Sequence, residues 1–153
     1  AASVLGVDAS ELGVEQAREN AKLNGLEDRV SFVCRDVFEL LPELEKKGEK
    51  FDFVILDPPA FTKSRKTVGS AERGYKEINY RAMRLLPRGG YLATCSCSHF
   101  MENRLFVKMV MSAAKDAGVQ LKLIEARQQA PDHPILLNVP ETDYLKFYLF
   151  QVV

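Results

Sequence analysis

The chain has 153 residues, 46% of them hydrophobic, which suits one globular domain with a single apolar core. Lysine plus arginine and aspartate plus glutamate both number 21, so there is no net positive charge of the kind that favours unaided nucleic-acid binding. No apolar run approaches the roughly 20 residues that span a membrane, no signal peptide is recognisable, and three cysteines without a disulfide-like pattern favour a cytoplasmic location.

Strands and helices alternate along the chain. Short apolar runs predict strands at 4–7, 30–34, 51–56, 91–95, 120–126 and 144–153. Helical periodicity predicts four helices between them; Ser10 caps the first, Asn24-Gly25 ends it, and Gly118 ends the last. This order predicts an α/β doubly wound domain with helices on both faces of the sheet and an antiparallel last strand.

The segment 51–61, FDFVILDPPAF, is the centre of the predicted sheet. Its nearly unbroken apolar run predicts a strand buried on both faces of a parallel sheet. Because proline cannot donate to a sheet ladder, the chain must leave the sheet at Pro58-Pro59. Asp57 therefore stands at the carboxyl end of a central strand, where open α/β sheets bind ligands. The alternative is a strand-ending turn in which this carboxylate only caps a nearby backbone group.

Two further strands also end at an acid, Asp8 and Asp36. Since parallel strands carry their carboxyl ends to one edge, the sequence predicts that these acids and Asp57 line one crevice. Asp8 is placed to accept both hydroxyls of a ribose, and Asp36 to accept a hydrogen bond from an exocyclic amine such as that of adenine. Helix N-capping is the alternative for each of them.

The polar stretch 62–74, TKSRKTVGSAERG, has no hydrophobic period and predicts a long exposed loop. Lys63, Arg65 and Lys66 form a basic cluster there that suits phosphate groups. Arg73 and Lys76, at the start of the next predicted helix, have the same chemistry. A solvated loop without a ligand is the alternative.

Four motifs in order, GVDAS, CRDVFELL, FDFVILDPPAF and GGYLATCSCS, resemble those of class I S-adenosylmethionine-dependent methyltransferases. With RGYKEIN, SCS and PDHPI in the same order, the whole chain resembles more closely the RNA cytosine-5 methyltransferases of the large-subunit ribosomal RNA type, the RlmI-like group. This resemblance implies a Rossmann-like methyltransferase domain over residues 1–153, S-adenosylmethionine as cofactor and 23S-type ribosomal RNA as substrate. The DPP motif alone also suits methyltransferases that modify exocyclic amines of adenine or guanine.

The resemblance also implies that this domain is partial, since the family's first strand and Gly-rich loop have no counterpart in the chain. The sheet could close by pairing 4–7 directly with 53–56, or by borrowing a strand from another molecule, as in a homodimer. A catalytically inert fragment is a further alternative.

Roles for individual residues follow from the same resemblance. Cys97, in the SCS motif, is the expected nucleophile, and Asp57 is expected to assist it by hydrogen bonding to the base. The other expected contacts are with the cofactor (Asp8, Ser10, Asp36, Val37 and Asp57), with the target base (Pro58, Pro59 and Phe61) and with the RNA (Lys63, Arg65 and Lys76). For Phe61, an aromatic ring packed onto the core is the alternative.

The other cysteines and a histidine are expected to be structural. Cys95, one strand period before Cys97, and Cys34, within an apolar strand, are predicted to lie in the core. No second Cys/His pair has zinc-site spacing, so no metal site is expected. His133 is expected to order its loop, with a place in the active site as the alternative.

Overall fold

The computed structural model describes residues 1–62 and 64–153, without the side chain of Arg65. These residues form two compact units, Ala1–Glu43 and Leu44–Val153. Among the helices of the described residues, none is long and apolar enough to cross a membrane.

The first unit is a β-α-β arrangement followed by the start of a second helix. Strands β1 (Val4–Asp8) and β2 (Val30–Cys34) pair in parallel, and helix α1 (Glu11–Leu23) connects them. The predicted cap is confirmed, because the Ser10 hydroxyl oxygen accepts a 3.1 Å hydrogen bond from the amide of Gly13. The next helix, α2 (Val37–Lys46), begins two residues after β2 ends.

The second unit is a four-stranded mixed sheet with the strand order β3-β4-β6-β5. Strands β3 and β4 are parallel, whereas β6 runs antiparallel to both of its neighbours, which confirms the predicted antiparallel last strand. Short 3₁₀ turns stand at Arg65–Thr67 and Pro140–Thr142. The bounds of the main elements are β3 Phe53–Leu56, α3 Val68–Leu85, β4 Tyr91–Ser96, α4 Asn103–Ala117, β5 Leu121–Arg127 and β6 Lys146–Val152.

The core of this unit lies between one face of the sheet and helices α3 and α4. Tyr75 on α3 is completely buried and meets Phe106 of α4 edge to face, with ring centroids 5.8 Å apart. Phe106 in turn stacks on Tyr148 of β6 at 6.1 Å. Aromatic pairs of this geometry add stabilisation beyond the area they bury.

How the sheet closes without the family's first strand stays a prediction. Among the described residues, β1 is hydrogen-bonded to β2 within the first unit, and β3 to β4 within the second. The extent of the domain, residues 1–153, stays a prediction.

The predicted burial of the 51–56 strand on both faces is wrong. Phe53 is 48% exposed and Ile55 is 68% exposed, whereas Val54 and Leu56, on the opposite face, are half-buried. β3 is the edge strand of this unit's sheet, and only the face that carries Val54 and Leu56 is partly covered. An apolar run can therefore form a strand with one face partly buried and the other face exposed.

The predicted long loop is also wrong in its extent, because α3 already begins at Val68. Ala71, Tyr75 and Ile78 are buried at helical spacing, so burial of one face stabilises a segment whose sequence is polar and contains Gly69. The loop that remains is closed by its own hydroxyls, since the buried Thr62 side chain donates a 2.7 Å bond to the Ser64 carbonyl.

Candidate functional site

The carboxyl ends of β3 and β4 bring the DPP and SCS motifs together. These strands pair in parallel, with Leu56 opposite Thr94, so the residues that follow β3 lie beside the end of β4. The sulfur of Cys97 lies 4.0 Å from the carbonyl oxygen of Pro58. Asp57, immediately before Pro58, is exposed, and Cys97 is half-buried. A carboxylate and a thiol separated by 40 positions in the sequence thus share one small region of the surface.

Buried hydroxyls on both sides of Cys97 anchor the turn that carries it. The Ser96 hydroxyl donates a 3.1 Å hydrogen bond to the phenolic oxygen of Tyr75, and the Ser98 hydroxyl donates a 2.8 Å bond to the carbonyl of Thr62. Both serines are buried. Because each bond reaches a different element, the backbone around Cys97 is fixed relative to α3 and to the loop after β3.

A buried lysine provides a third anchor for the same turn. Lys146, the first residue of β6, is the cross-strand partner of Ser96. Its ammonium donates 2.6 Å and 2.8 Å hydrogen bonds to the carbonyl oxygens of Ser98 and Tyr144. Burial lowers the pKa of Lys146 because it disfavours the charged form, while the negative charges of Asp143 and of an ionised Cys97 oppose this shift.

The environment of Cys95 differs from that of Cys97. Burial raises the pKa of the Cys95 thiol to about 11, and the negative charges of Asp57 and Cys97 act in the same direction. Since only a thiolate is a competent nucleophile, Cys95 is inert near neutral pH. The prediction that Cys95 belongs to the core is confirmed.

The ring of Phe61 packs onto the core, which is the alternative that the sequence offers to contact with a base. Its ring lies 4.6 Å from that of Tyr75 at a tilted angle, and the residue is half-buried. Burial raises the pKa of Tyr75, and hydrogen bonds from Ser96 and the Phe61 backbone act in the opposite direction. Pro58 is half-buried and Pro59 is exposed. Contact of these side chains with a base stays a prediction.

In the first unit, Asp8 and Asp36 stand at the same end of the parallel pair β1 and β2. Each acts as a local cap: Oδ1 of Asp8 accepts a 2.7 Å bond from the Ser10 amide, and Oδ1 of Asp36 accepts one of 2.7 Å from the Phe38 amide. Val37 begins α2 directly after Asp36. The capping alternative is therefore observed for both acids, although each carboxylate has a second oxygen that can accept further bonds. A crevice shared with Asp57 stays a prediction.

A family model described as a methyltransferase domain matches residues 1–138 of this chain. The chain belongs to the methyltransferase-domain family.

Curated relatives with the name ribosomal RNA large subunit methyltransferase I are similar to this methyltransferase domain over nearly its whole length. The relative from Aeromonas salmonicida is 49% identical over 147 residues, which are 95% of this chain and 37% of the relative. The relative from Klebsiella pneumoniae strain 342 is 44% identical over 151 residues, or 98% of this chain and 38% of the relative. The chain thus spans less than two-fifths of the length of these relatives.

Solved structures share the fold of the methyltransferase domain. A crystal structure described as a methyltransferase complexed with SAH has a TM-score of 0.85 at 18% identity and covers 99% of this chain and 40% of that chain. A structure described as a SAM-dependent methyltransferase from Streptococcus mutans has a TM-score of 0.84 at 18% identity, with 99% and 39% covered. At such identities these likenesses establish the Rossmann-like fold alone.

The predicted basic contacts of the methyltransferase domain are only partly described. Lys63 lies outside the described residues, as does the side chain of Arg65, whose backbone forms part of the 3₁₀ turn. Lys66 is exposed. Lys76 forms a 2.6 Å ion pair with Asp116 of α4, so its charge has a partner within the protein. Its contact with a phosphate stays a prediction.

Cys34 corrects another prediction, because it is exposed rather than in the core. It is the last residue of β2, and its sulfur contacts the Ala9 carbonyl at 3.5 Å. The apolar sequence predicts burial, but β2 is covered only in part: Val30, Phe32 and Val33 are half-buried, and Ser31 and Cys34 are exposed. His133 lies in an exposed loop with its Nδ1 3.1 Å from Asp132. Within residues 1–62 and 64–153, no group of three or more His, Cys, Asp or Glu side chains could hold a metal ion.

Two residues near the candidate site of the methyltransferase domain were missed by the sequence reasoning, Lys146 and His99. A lone lysine in a strand suggests a surface position, but KFYLFQV alternates and places Lys146 on the same face as the buried Tyr148 and Phe150. His99 follows the SCS motif directly, and its Nδ1 is buried without a hydrogen-bond partner among the described residues. The alternation of side chains along β6 indicates that Lys146 faces the core, and the position of His99 two residues after Cys97 indicates that it lies near the candidate site.

Proposed function

We propose that this chain transfers a methyl group from S-adenosylmethionine to C5 of a cytosine in large-subunit ribosomal RNA, through a covalent adduct with Cys97. The observation that carries this proposal is the position of the Cys97 sulfur, 4.0 Å from the carbonyl oxygen of Pro58, the residue that follows Asp57. The names of the curated relatives support ribosomal RNA as the substrate, and the SAH complex of a fold neighbour supports the cofactor.

The chemistry explains why a thiol and a carboxyl group are needed together. C5 of cytosine is a weak nucleophile, but addition of the Cys97 thiolate to C6 makes C5 an enamine carbon that can accept a methyl group. Asp57 assists the addition in its carboxylic acid form, which donates to N3 while its other oxygen accepts from the exocyclic amine of the base. Removal of the C5 proton by a base then expels the thiolate and restores the aromatic ring.

The residues of the first unit fit the proposed cofactor by their chemistry. The hydroxyls of a ribose and the amine of an adenine are donors, and Asp8 and Asp36 present acceptor carboxylates at one end of parallel strands. The Ser10 amide holds the Asp8 carboxylate just before α1, and Asp36 directly precedes Val37, the first residue of α2. S-adenosylmethionine, when bound, supplies an electrophilic methyl group on sulfonium.

The substrate must present an unstacked cytosine, because the C6 position is inaccessible inside a helix. Extrusion of one base costs a few kcal/mol, which favours loops or opened RNA. Pro58, Pro59 and Phe61 are proposed to shape the base pocket, and Lys63, Arg65 and Lys76 to contact phosphates. Modification of ribosomal RNA also implies a cytoplasmic location.

Covalent trapping tests the reaction class. Large-subunit ribosomal RNA transcribed with 5-fluorocytidine is offered to the protein together with S-adenosylmethionine, and a denaturation-resistant complex is sought on a gel. Because fluorine at C5 cannot leave as a proton, a cysteine-linked adduct accumulates. The expected result is a shifted band that disappears in Cys97→Ala and persists in Cys34→Ala.

Two other outcomes would contradict the proposal in different ways. Methyl transfer to ordinary RNA that survives Cys97→Ala would assign the chain to exocyclic-amine methylation through the DPP motif. Calorimetry with S-adenosylmethionine that gives no saturable heat would mean that this chain, taken alone, is inert.

A further inference from the structure

A cavity of about 670 Å³ lies in the second unit beside the turn that carries Cys97. Its wall comes from the start of α4, the end of β5, the loop before β6 and the first part of β6. Its volume falls within the roughly 300–1,000 Å³ typical of small-molecule sites. Cys97, Asp57 and Pro58 are not among its lining residues, so it is distinct from the place where the proposed reaction occurs.

Lys146 and His99 connect this cavity to the catalytic turn. Lys146 lines the cavity and donates its 2.6 Å bond to the carbonyl of Ser98, the residue next to Cys97. His99 lines it as well and is only two residues from Cys97, which limits the separation of their Cα atoms to about 7.6 Å. A ligand in the cavity would therefore lie beside the turn that carries Cys97.

The polar lining groups favour a neutral ligand that both donates and accepts hydrogen bonds. Two acids, Glu102 and Asp143, and two cations, Arg127 and Lys146, line the cavity, so their formal charges cancel, and Arg127 is itself paired with Glu125. A phosphate would meet as much repulsion as attraction at such a site. The buried Nδ1 of His99, without a partner among the described residues, would gain one if the ring turned towards the cavity.

The apolar part of the lining suits a flat ring. Ile135, Leu136 and Pro140 line the cavity together with Tyr148, whose hydroxyl donates to Asn103. Leu136 is 50% exposed and could therefore bury further apolar surface against a ligand. Unstacked bases of single-stranded RNA are bound in this way, by contact with their faces and hydrogen bonds to their edges.

We propose that this cavity binds the base of a nucleotide adjacent to the target cytosine in the RNA strand, and that Lys146 joins this subsite to the turn that carries Cys97. The inference rests on the proposed function for the identity of the strand. Occupation of the cavity by one base and reaction of its neighbour with Cys97 would place two consecutive unstacked nucleotides at the end of β4 and the start of β6.

Nucleoside binding tests the cavity directly. The ¹⁵N-labelled chain is titrated with adenosine, guanosine, cytidine and uridine in turn, and amide shifts are followed. At least one nucleoside is expected to shift the amides of His99, Arg127 and Lys146 saturably. Ala126→Phe, which fills the cavity from exposed β5, is expected to weaken this binding by about tenfold or more.

Two variants serve as controls. Ala130→Phe adds the same ring at an exposed position outside the lining, so it should bind like the unmodified chain. Cys97→Ser removes the nucleophile and should leave the shifts of the cavity residues unchanged. Absence of these shifts for all four nucleosides, or equal affinity in Ala126→Phe, would overturn the subsite.

Short RNAs distinguish a strand subsite from a site for a free nucleoside. Trapping of 5-fluorocytidine is compared in trinucleotides that carry either a base or an abasic sugar on each side of it. A neighbouring base is expected to accelerate trapping, and Ala126→Phe is expected to remove that advantage. Equal rates with and without a neighbouring base, despite nucleoside binding, would overturn the assignment to RNA.

The outcomes also separate this inference from the proposed function. If nucleosides shift the amides of the cavity residues but no adduct forms at Cys97, the proposed cytosine-5 reaction is rejected and the nucleoside site is kept. If an adduct forms at Cys97 but no nucleoside binds in the cavity, the proposed reaction is kept and the subsite is rejected.

Discussion

The hydroxyl of Ser98 donates a 2.8 Å hydrogen bond to the carbonyl oxygen of Thr62, and both residues are buried. This bond joins the turn that carries Cys97 to the loop that follows Asp57. Together with the contact between the Cys97 sulfur and the Pro58 carbonyl, it holds the two motifs in one arrangement. The geometry of the candidate site therefore depends on a serine that takes no part in the proposed chemistry.

Ser98→Ala is expected to lower the free energy of unfolding by about 1–3 kcal/mol, because the Thr62 carbonyl would stay buried without its donor. Urea denaturation measures the change. Ser70→Ala is the matched control: its hydroxyl donates a 2.8 Å bond to Thr67 at an exposed position, so the change should stay within about 0.5 kcal/mol. Equal losses in the two variants would contradict the role of the buried bond.

The three cysteines are expected to differ in reactivity towards iodoacetamide at neutral pH. Cys34 is exposed and Cys97 is half-buried, so both should be labelled in the native protein. Cys95 is buried with a raised pKa, and should be labelled only after unfolding. Peptide mass spectrometry after short exposures measures each site. Native labelling of Cys95 at a rate similar to that of Cys97 would contradict the described burial.

The sequence predicts much of this fold because strand ends are marked by strong local signals. An apolar run followed by an acid locates β2 at Val30–Cys34 to the residue, and the same pattern locates the end of β3 before Asp57. Gly118 ends α4 as predicted, since its φ of +70° lies in the left-handed region that glycine adopts without strain. Each of these features is determined by residues that are adjacent in the sequence.

What the sequence could not supply depends on contacts between distant elements. Exposure of Ile55 and Cys34 follows from which faces are covered, and apolar composition does not report that. The start of α3 was missed because burial of Tyr75 outweighs a weak local helical preference. Lys146 joins the candidate site only through its cross-strand pairing with Ser96.

A double-mutant cycle between Tyr75 and Ser96 should reveal coupling. The Ser96 hydroxyl donates to the Tyr75 phenol at 3.1 Å in the core, so Tyr75→Phe and Ser96→Ala each remove the same bond. The losses measured by urea denaturation should therefore be non-additive by about 1 kcal/mol. Ser70→Ala, more than one turn earlier on α3, should be additive with Tyr75→Phe. Additivity of the first pair would mean that the bond does not stabilise the protein.

Cys95 should make stability fall with pH in the alkaline range. Its pKa is raised from 9.0 to about 11 in the folded chain, because burial disfavours the thiolate. The contribution of the protonated Cys95 thiol to folding stability is therefore complete below 9.0, its pKa in the unfolded chain. That contribution is lost as pH rises through about 11, its pKa in the folded chain. Over this range the unfolded state releases its proton first, so the folded state is progressively disfavoured.

The size of this effect is set by the difference between the two pKa values, which corresponds to about 2–3 kcal/mol. Urea denaturation at a series of pH values from about 8 to about 11 should show a steeper loss of stability in the unmodified chain than in Cys95→Ala. Cys34→Ala, at an exposed position, should follow the unmodified chain. Because Tyr75 and Lys146 titrate in all three proteins, their contributions cancel in the comparison. Parallel curves for the unmodified chain and Cys95→Ala would show that the thiol is not buried in solution.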